Sequence, residues 1–125
     1  MELNKFMNKF VSDYDSVDDI LTIYNSEKQV KETVEFTELI NLDLDNDGKV
    51  VGVEIFEASK LLPQFNPQLN LEFLKNIKFA SLEYKEHRNL WFVVVILTNN
   101  KNVVIRQAMP PLMRSAFISP LIASS

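Results

Sequence analysis

The chain contains no cysteine. That excludes disulfides, thiolate nucleophiles and zinc–thiolate sites, and it fits a reducing compartment. Its one histidine, His87, has no second histidine or cysteine with which to share a metal or form a nucleophilic couple. Only two glycines occur, Gly48 and Gly52, where average usage of about 7% would give about nine. No phosphate-cradling Walker loop and no dinucleotide fingerprint can be built from them. Both lie in one short stretch, which therefore needs backbone freedom or a missing side chain there. Long apolar runs are also absent. The strongest, Leu90 to Leu97, falls well short of the roughly 20 residues of a spanning helix. The N-terminus mixes Glu2, Lys5 and Lys9 with apolar residues and has no signal-peptide core. A cytoplasmic protein with no membrane segment is the expectation.

What is present is an ordinary core-forming composition. Of 125 residues, 46% are apolar and 24% charged. A chain of 14.5 kDa suits a single domain over 1–125 that buries roughly two-thirds of its unfolded surface. Charge is unevenly spread. Residues 1–62 hold six Lys against fourteen Asp and Glu, a net of −8. Residues 63–125 hold seven Lys and Arg against three Glu, a net of +4. Two such halves should attract, within one molecule or head-to-tail between molecules. The net charge of −4 argues against nucleic-acid binding, where phosphate neutralisation dominates affinity.

The patterning predicts an α+β fold, predominantly antiparallel β-sheet with short helices. Strands are expected at Phe10–Tyr14 and Ile20–Tyr24, joined by the aspartate-rich turn Asp15–Asp19. Asn25–Lys31 reads as a loop. Leu39–Leu44 and Val50–Ile55 read as a hairpin with a two-residue type I′ turn at Asp47-Gly48. Counting outward pairs Leu44 with Val51, Leu42 with Val53 and Ile40 with Ile55 on one face, and puts Asp43 opposite Gly52 on the other. A short helix over Glu57–Leu62 should end at Pro63. The acidic sheet–helix half, 1–62, thus gives way to a basic helix–meander half, 66–125. Asn66-Pro67 looks like an N-cap and first-turn proline, with Leu69, Phe73, Leu74 and Ile77 on one helix face. Strands follow at Lys78–Lys85, Leu90–Thr98 and Val103–Met109, with tips at Glu86–Asn89 and Asn99–Asn102. The middle strand is apolar on both faces, which asks for cover on both. The helix over 67–76 is the expected cover on one face. On the other it is the apolar tail (Leu112, Phe117, Ile118, Leu121, Ile122) or a second subunit. Tyr14 before Ile20-Leu21 and Tyr84 before Leu90-Trp91 share a spacing that could mark a duplication.

Three segments resemble a known family. They are Tyr14-Asp15 with Asp18-Asp19-Ile20-Leu21, then Leu42 to Ile55, then Glu57-Ala58-Ser59. Together they are similar to a family of small prokaryotic proteins grouped only as a domain of unknown function. Its members read Y-D-x-x-x-D-x-L-x-I and then D-x-D-x-x-G-x-x-V-G-I-E-I-x-x-A-S. The resemblance covers about residues 9–62 and leaves 63–125 outside. It implies a small strand-rich fold and a stand-alone cytoplasmic protein, and it carries over no catalytic residue.

Asp43, Asp45, Asp47 and Glu54, with Gly48 between them, satisfy the calcium-loop spacing, which would give a hard cation its oxygen ligands between two helices. The period-two flanks instead point to a hairpin whose Asp43, Asp45 and Glu54 face solvent. A weaker cation or small-ligand site on that acidic hairpin is the alternative reading. Asp13, Asp15, Asp18 and Asp19 suit turn capping. Ser59 lacks a nucleophile elbow and reads as a small packed residue. His87 belongs to an exposed tip. Lys75, Lys78, Lys85, Arg88, Lys101 and Arg106 accompany Phe79, Trp91 and Phe92, a mixture that suits single-stranded nucleic acid, but the aromatics lie in core-like runs. The leading expectation is a non-enzymatic interaction module, a homo-oligomer or the partner of a small protein, with no catalytic residues and no cofactor. A regulatory partner of a small toxin-like protein is a further alternative, by analogy alone.

Overall fold

Alternating side chains in the first half build a five-stranded sheet. In this computed structural model, which describes residues 9–109 and the backbone of 112–113, the strands are β1 (Phe10–Asp15), β2 (Ile20–Asn25), β3 (Glu32–Thr37), β4 (Ile40–Leu44) and β5 (Val50–Phe56). Their spatial order is β1-β2-β5-β4-β3, and every pairing is antiparallel. Leu21, Ile23, Leu42, Val53 and Ile55 share the inner face and are fully buried. β3 was not anticipated. Its Val34 and Phe36 alternate with polar residues, but flanking glutamates mask the pattern.

The expected register holds where the buried pairs fix it. Ile40 lies opposite Ile55, Leu42 opposite Val53, and Asp43 opposite Gly52. It breaks one residue later, because Leu44 faces Val50 and not Val51. The turn is the cause. Asp45 accepts the Gly48 N–H at 3.0 Å and donates its own N–H to Lys49 at 2.9 Å. Gly48 takes φ 76°. This is a three-residue loop closed by a left-handed glycine, not a type I′ turn.

Two short helices follow. α1 (Ala58–Phe65) runs through Pro63 instead of stopping there. Proline removes one hydrogen bond from so short a helix, and burial of Leu62 with packing of Phe65 against the core outweighs that loss. α2 is Leu71–Lys75, and Asn70 caps it by accepting the Phe73 N–H at 3.0 Å. Asn66, the expected cap, instead folds a turn of its own by accepting from Gln68 N–H. The helix expected over 67–76 is therefore shorter and begins later.

The second sheet comprises β6 (Ile77–His87), β7 (Leu90–Asn99), β8 (Val104–Ala108) and the two-residue β9 (Leu112–Met113). β6 and β8 flank β7, and β9 also pairs with β7. Val94 lies opposite Ala108 but Trp91 opposite Leu112, a one-residue slip between β8 and β9. Arg88 and Asn89 both have positive φ, 51° and 66°, so the type I′ turn of this molecule joins β6 to β7. Tyr14 faces Leu21 whereas Tyr84 faces Val93. The two hairpins differ in register, and the echo between them is no structural repeat.

The sheets share one core. Leu21, Ile23, Leu42, Val53 and Ile55 of the first and Trp91, Val93, Val95 and Leu97 of the second join a single buried cluster. Leu62 of α1 and Leu69, Phe73 and Leu74 at α2 belong to it as well. The Phe36 ring meets the Trp91 ring edge-on, centroids 4.7 Å apart. The indole N–H is satisfied by Glu86 at 2.7 Å. β7 is thus covered on one face, while Phe92, Val94 and Ile96 on its other face are only partly shielded by the described residues. The tail residues 117–122 lie outside the described residues, as does the Leu112 side chain. Among the described residues, no helix is long and apolar enough to cross a membrane.

Candidate functional site

The hairpin carboxylates are held apart. Asp43 is 9% exposed and not solvent-facing as expected. β3 shields it, and Thr33 Oγ1 donates to its Oδ1 at 2.6 Å. Its other oxygen lies over Gly52, where a Cβ would come within 2.8 Å of Oδ2 and 3.2 Å of Ile23 O. Gly52 thus supplies the missing side chain and Gly48 the backbone freedom. Asp45 is a turn residue, and its Oδ1 accepts the N–H groups of Asp47 and Lys49. The Lys49 N–H is the main reason its carboxyl sits below its ordinary value. Glu54 shares the outer face with Asp43. Burial, followed by the charge of Asp43, raises its pKa. Among the described residues no group of three or more histidines and carboxylates is placed to hold a metal ion. The four residues with calcium-loop spacing lie on two strands and a tight turn, not in a loop between helices.

The turn aspartates divide the work. Asp15 Oδ1 accepts from Val17 N at 2.9 Å and Asp18 N at 3.1 Å, the expected capping. Asp19 does something else. It adopts φ 58°, accepts from Tyr14 Oη at 2.7 Å, and takes both the backbone N–H (2.9 Å) and the hydroxyl (2.8 Å) of Ser59. Its backbone carbonyl accepts from Ala58 N at 3.1 Å. Tyr14, Asp19 and Ser59 therefore tie β1, its turn and the start of α1 together. Ser59 is a latch partner and not merely a small packed residue. Burial and then the Asp19 hydrogen bond raise the Tyr14 pKa to about 12. Burial alone would raise Asp19, but the hydrogen bonds from Tyr14 and Ser59 outweigh it and hold the carboxyl below its usual range. Only the resemblance, which sets Y-D-x-x-x-D beside A-S, signalled this contact.

Of the aromatics named with the basic residues, Trp91 and Phe79 are engaged within the fold, and Phe92 is the exposed one. Trp91 is 2% exposed and faces the core, while the Lys78 ammonium sits 5.4 Å from the centre of the Phe79 ring. His87 ends β6 opposite Leu90 and is not in the tip. What the second sheet does present is an apolar strip. Phe92, Val94 and Ile96 run along β7, with Phe92 37% exposed. Val104 on β8, 60% exposed, lies opposite Thr98 and extends the strip. Lys85 faces Phe92 and Glu83 faces Val94 across β6. Arg106 pairs with Glu83 at 2.7 Å.

Residues 12–59 match the family described as protein of unknown function DUF2283. The resemblance read from the motifs is borne out over that segment, which takes in the whole Tyr14–Asp19–Ser59 latch. The chain is also 39% identical over 71 residues to the uncharacterized protein MJ0789 of Methanocaldococcus jannaschii. That match spans 56% of this chain and 57% of the relative, so a little over half of each protein is shared. No solved structure matches.

Proposed function

We propose that this protein is a non-enzymatic, self-associating interaction module in which two copies meet through the outer face of the second sheet. The half-exposed strip of Phe92, Val94 and Ile96 carries the reading. Contiguous exposed apolar patches mark interaction surfaces, and aromatic side chains near the middle of a patch are common anchors of protein interfaces. A second copy fits because an isologous interface presents the same patch twice. Apolar strip meets apolar strip, and Glu83 and Lys85, neighbours on β6, can exchange partners across a two-fold axis. Pairing through the β8 edge is less favourable, since it would set Arg106 near its own symmetry mate.

Sedimentation of the full chain and of Phe92→Glu tests this. The expected result is a species of twice 14.5 kDa for the natural chain, and 14.5 kDa with unchanged circular dichroism for the variant. A natural chain that stays at 14.5 kDa at every concentration overturns the proposal. So does a dimer that survives Phe92→Glu. A mass that collapses with added salt would instead mark head-to-tail docking of the basic face on the acidic one.

A further inference from the structure

We infer that a polar notch between α2 and the β7–β8 turn binds one neutral sugar residue, independently of the sheet face above. The notch encloses about 230 Å³, below the 300 Å³ or more of a drug-sized pocket. Its walls are braced. Asn100 donates its backbone N–H to Asn76 O at 2.9 Å and its side-chain amide to Asn76 Oδ1 at 3.2 Å. The side chains that face it keep unspent hydrogen-bonding capacity. Asn70 uses Oδ1 on Phe73 N–H, which leaves its amide NH2 unused. Asn99 uses Oδ1 on the N–H groups of Lys101 and Val103, which leaves its NH2 as well. Glu72 accepts from Asn76 through Oε1, which leaves Oε2. Among the described residues, the Gln68 and Lys101 side chains make no hydrogen bond or ion pair. Phe73, 7% exposed, is the apolar residue that lines it.

This set selects its ligand by chemistry. Donors and acceptors are mixed, which suits hydroxyls because each can both give and receive a hydrogen bond. Glu72 and Lys101 balance in charge, so an anion meets Glu72 and a cation meets Lys101. Both are disfavoured relative to a neutral polyol. An open notch with so few anchors should bind in the millimolar range.

Amide chemical-shift titration of the full chain with D-glucose, D-galactose and N-acetyl-D-glucosamine, with sodium phosphate and glycine as controls, decides it. At least one sugar should give saturable shifts at the side-chain amides of Gln68, Asn70 and Asn99. Gln68→Ala and Lys101→Ala remove no hydrogen bond or ion pair among the described residues, and each should weaken that binding about five-fold, the loss of one hydrogen bond. Absence of saturable shifts with all three sugars overturns the inference. Equal binding by both variants, or a stronger response to phosphate or glycine, overturns it too.

Discussion

Tyr14 uses its hydroxyl hydrogen on an ionised carboxylate, and hydrogen bonds to charged groups are the stronger kind. Replacing Tyr14 with Phe should therefore cost about 1–2 kcal/mol in urea denaturation at neutral pH. The pH dependence has a defined sign. The phenol is raised from 10.0 to about 12 in the fold. Its contribution is complete below the unfolded value and is lost as pH rises through the folded one. Asp19 is depressed, so its contribution is present above the ordinary carboxylate value and fades as pH falls through its lower folded one. The stability gap between the natural chain and Tyr14→Phe should narrow above pH 10; a gap that stays constant there would contradict the latch. At this scale the sequence was legible where a residue acts locally. Gly48 and Asp15 serve neighbours within four residues. Ser59 and Thr33 were not legible, because their partners lie forty and ten residues away.

Turns decide how the strands meet, and two of them share one construction. Asp45 and Asn99 each accept two backbone N–H groups through Oδ1, from Asp47 and Lys49 and from Lys101 and Val103. Each loop also closes on a left-handed residue, Gly48 or Asn102. The β6–β7 turn is built differently and carries strain. Arg88 holds φ 51°, and a left-handed residue with a Cβ costs roughly 1–2 kcal/mol. Converting Arg88-Asn89 to Asn-Gly, by Arg88→Asn with Asn89→Gly, should raise stability by about 1 kcal/mol in thermal or urea unfolding. A loss of stability would show that the turn is held by something other than backbone preference. Strand positions were readable because β2, β5 and β7 are rich in β-branched and aromatic residues and are bounded by polar turn residues. Helix limits were not, since Pro63 obeys the burial of Leu62 and Phe65 more than its own local preference, and Asn70 displaces Asn66 as cap.

At the scale of the molecule, the described parts of the acidic and basic halves are joined by packing. Between described residues the ion pairs are Lys60–Glu57 and Arg106–Glu83, each inside one half. The shared cluster that runs from Leu21 to Leu97 binds the sheets instead. Among the described residues both sheets contribute to one buried cluster, so unfolding should be a single cooperative step. Trp91 fluorescence reports the second sheet at its contact with Phe36, while far-ultraviolet circular dichroism reports both sheets. Their urea midpoints should coincide. Separated transitions would show that the two halves fold as independent units.

The Tyr14–Asp19–Ser59 latch also changes what shared ancestry can say. The letters that make this chain recognisable include those that fasten a hairpin to a helix, and Tyr14, Asp19 and Ser59 all lie in the family-matched segment 12–59. The apolar strip and the amide-lined notch lie outside that family-matched segment, in residues 68–104. What the matched segment carries in this chain is a joint between a hairpin and a helix, and the sheet face proposed for self-association lies outside that joint.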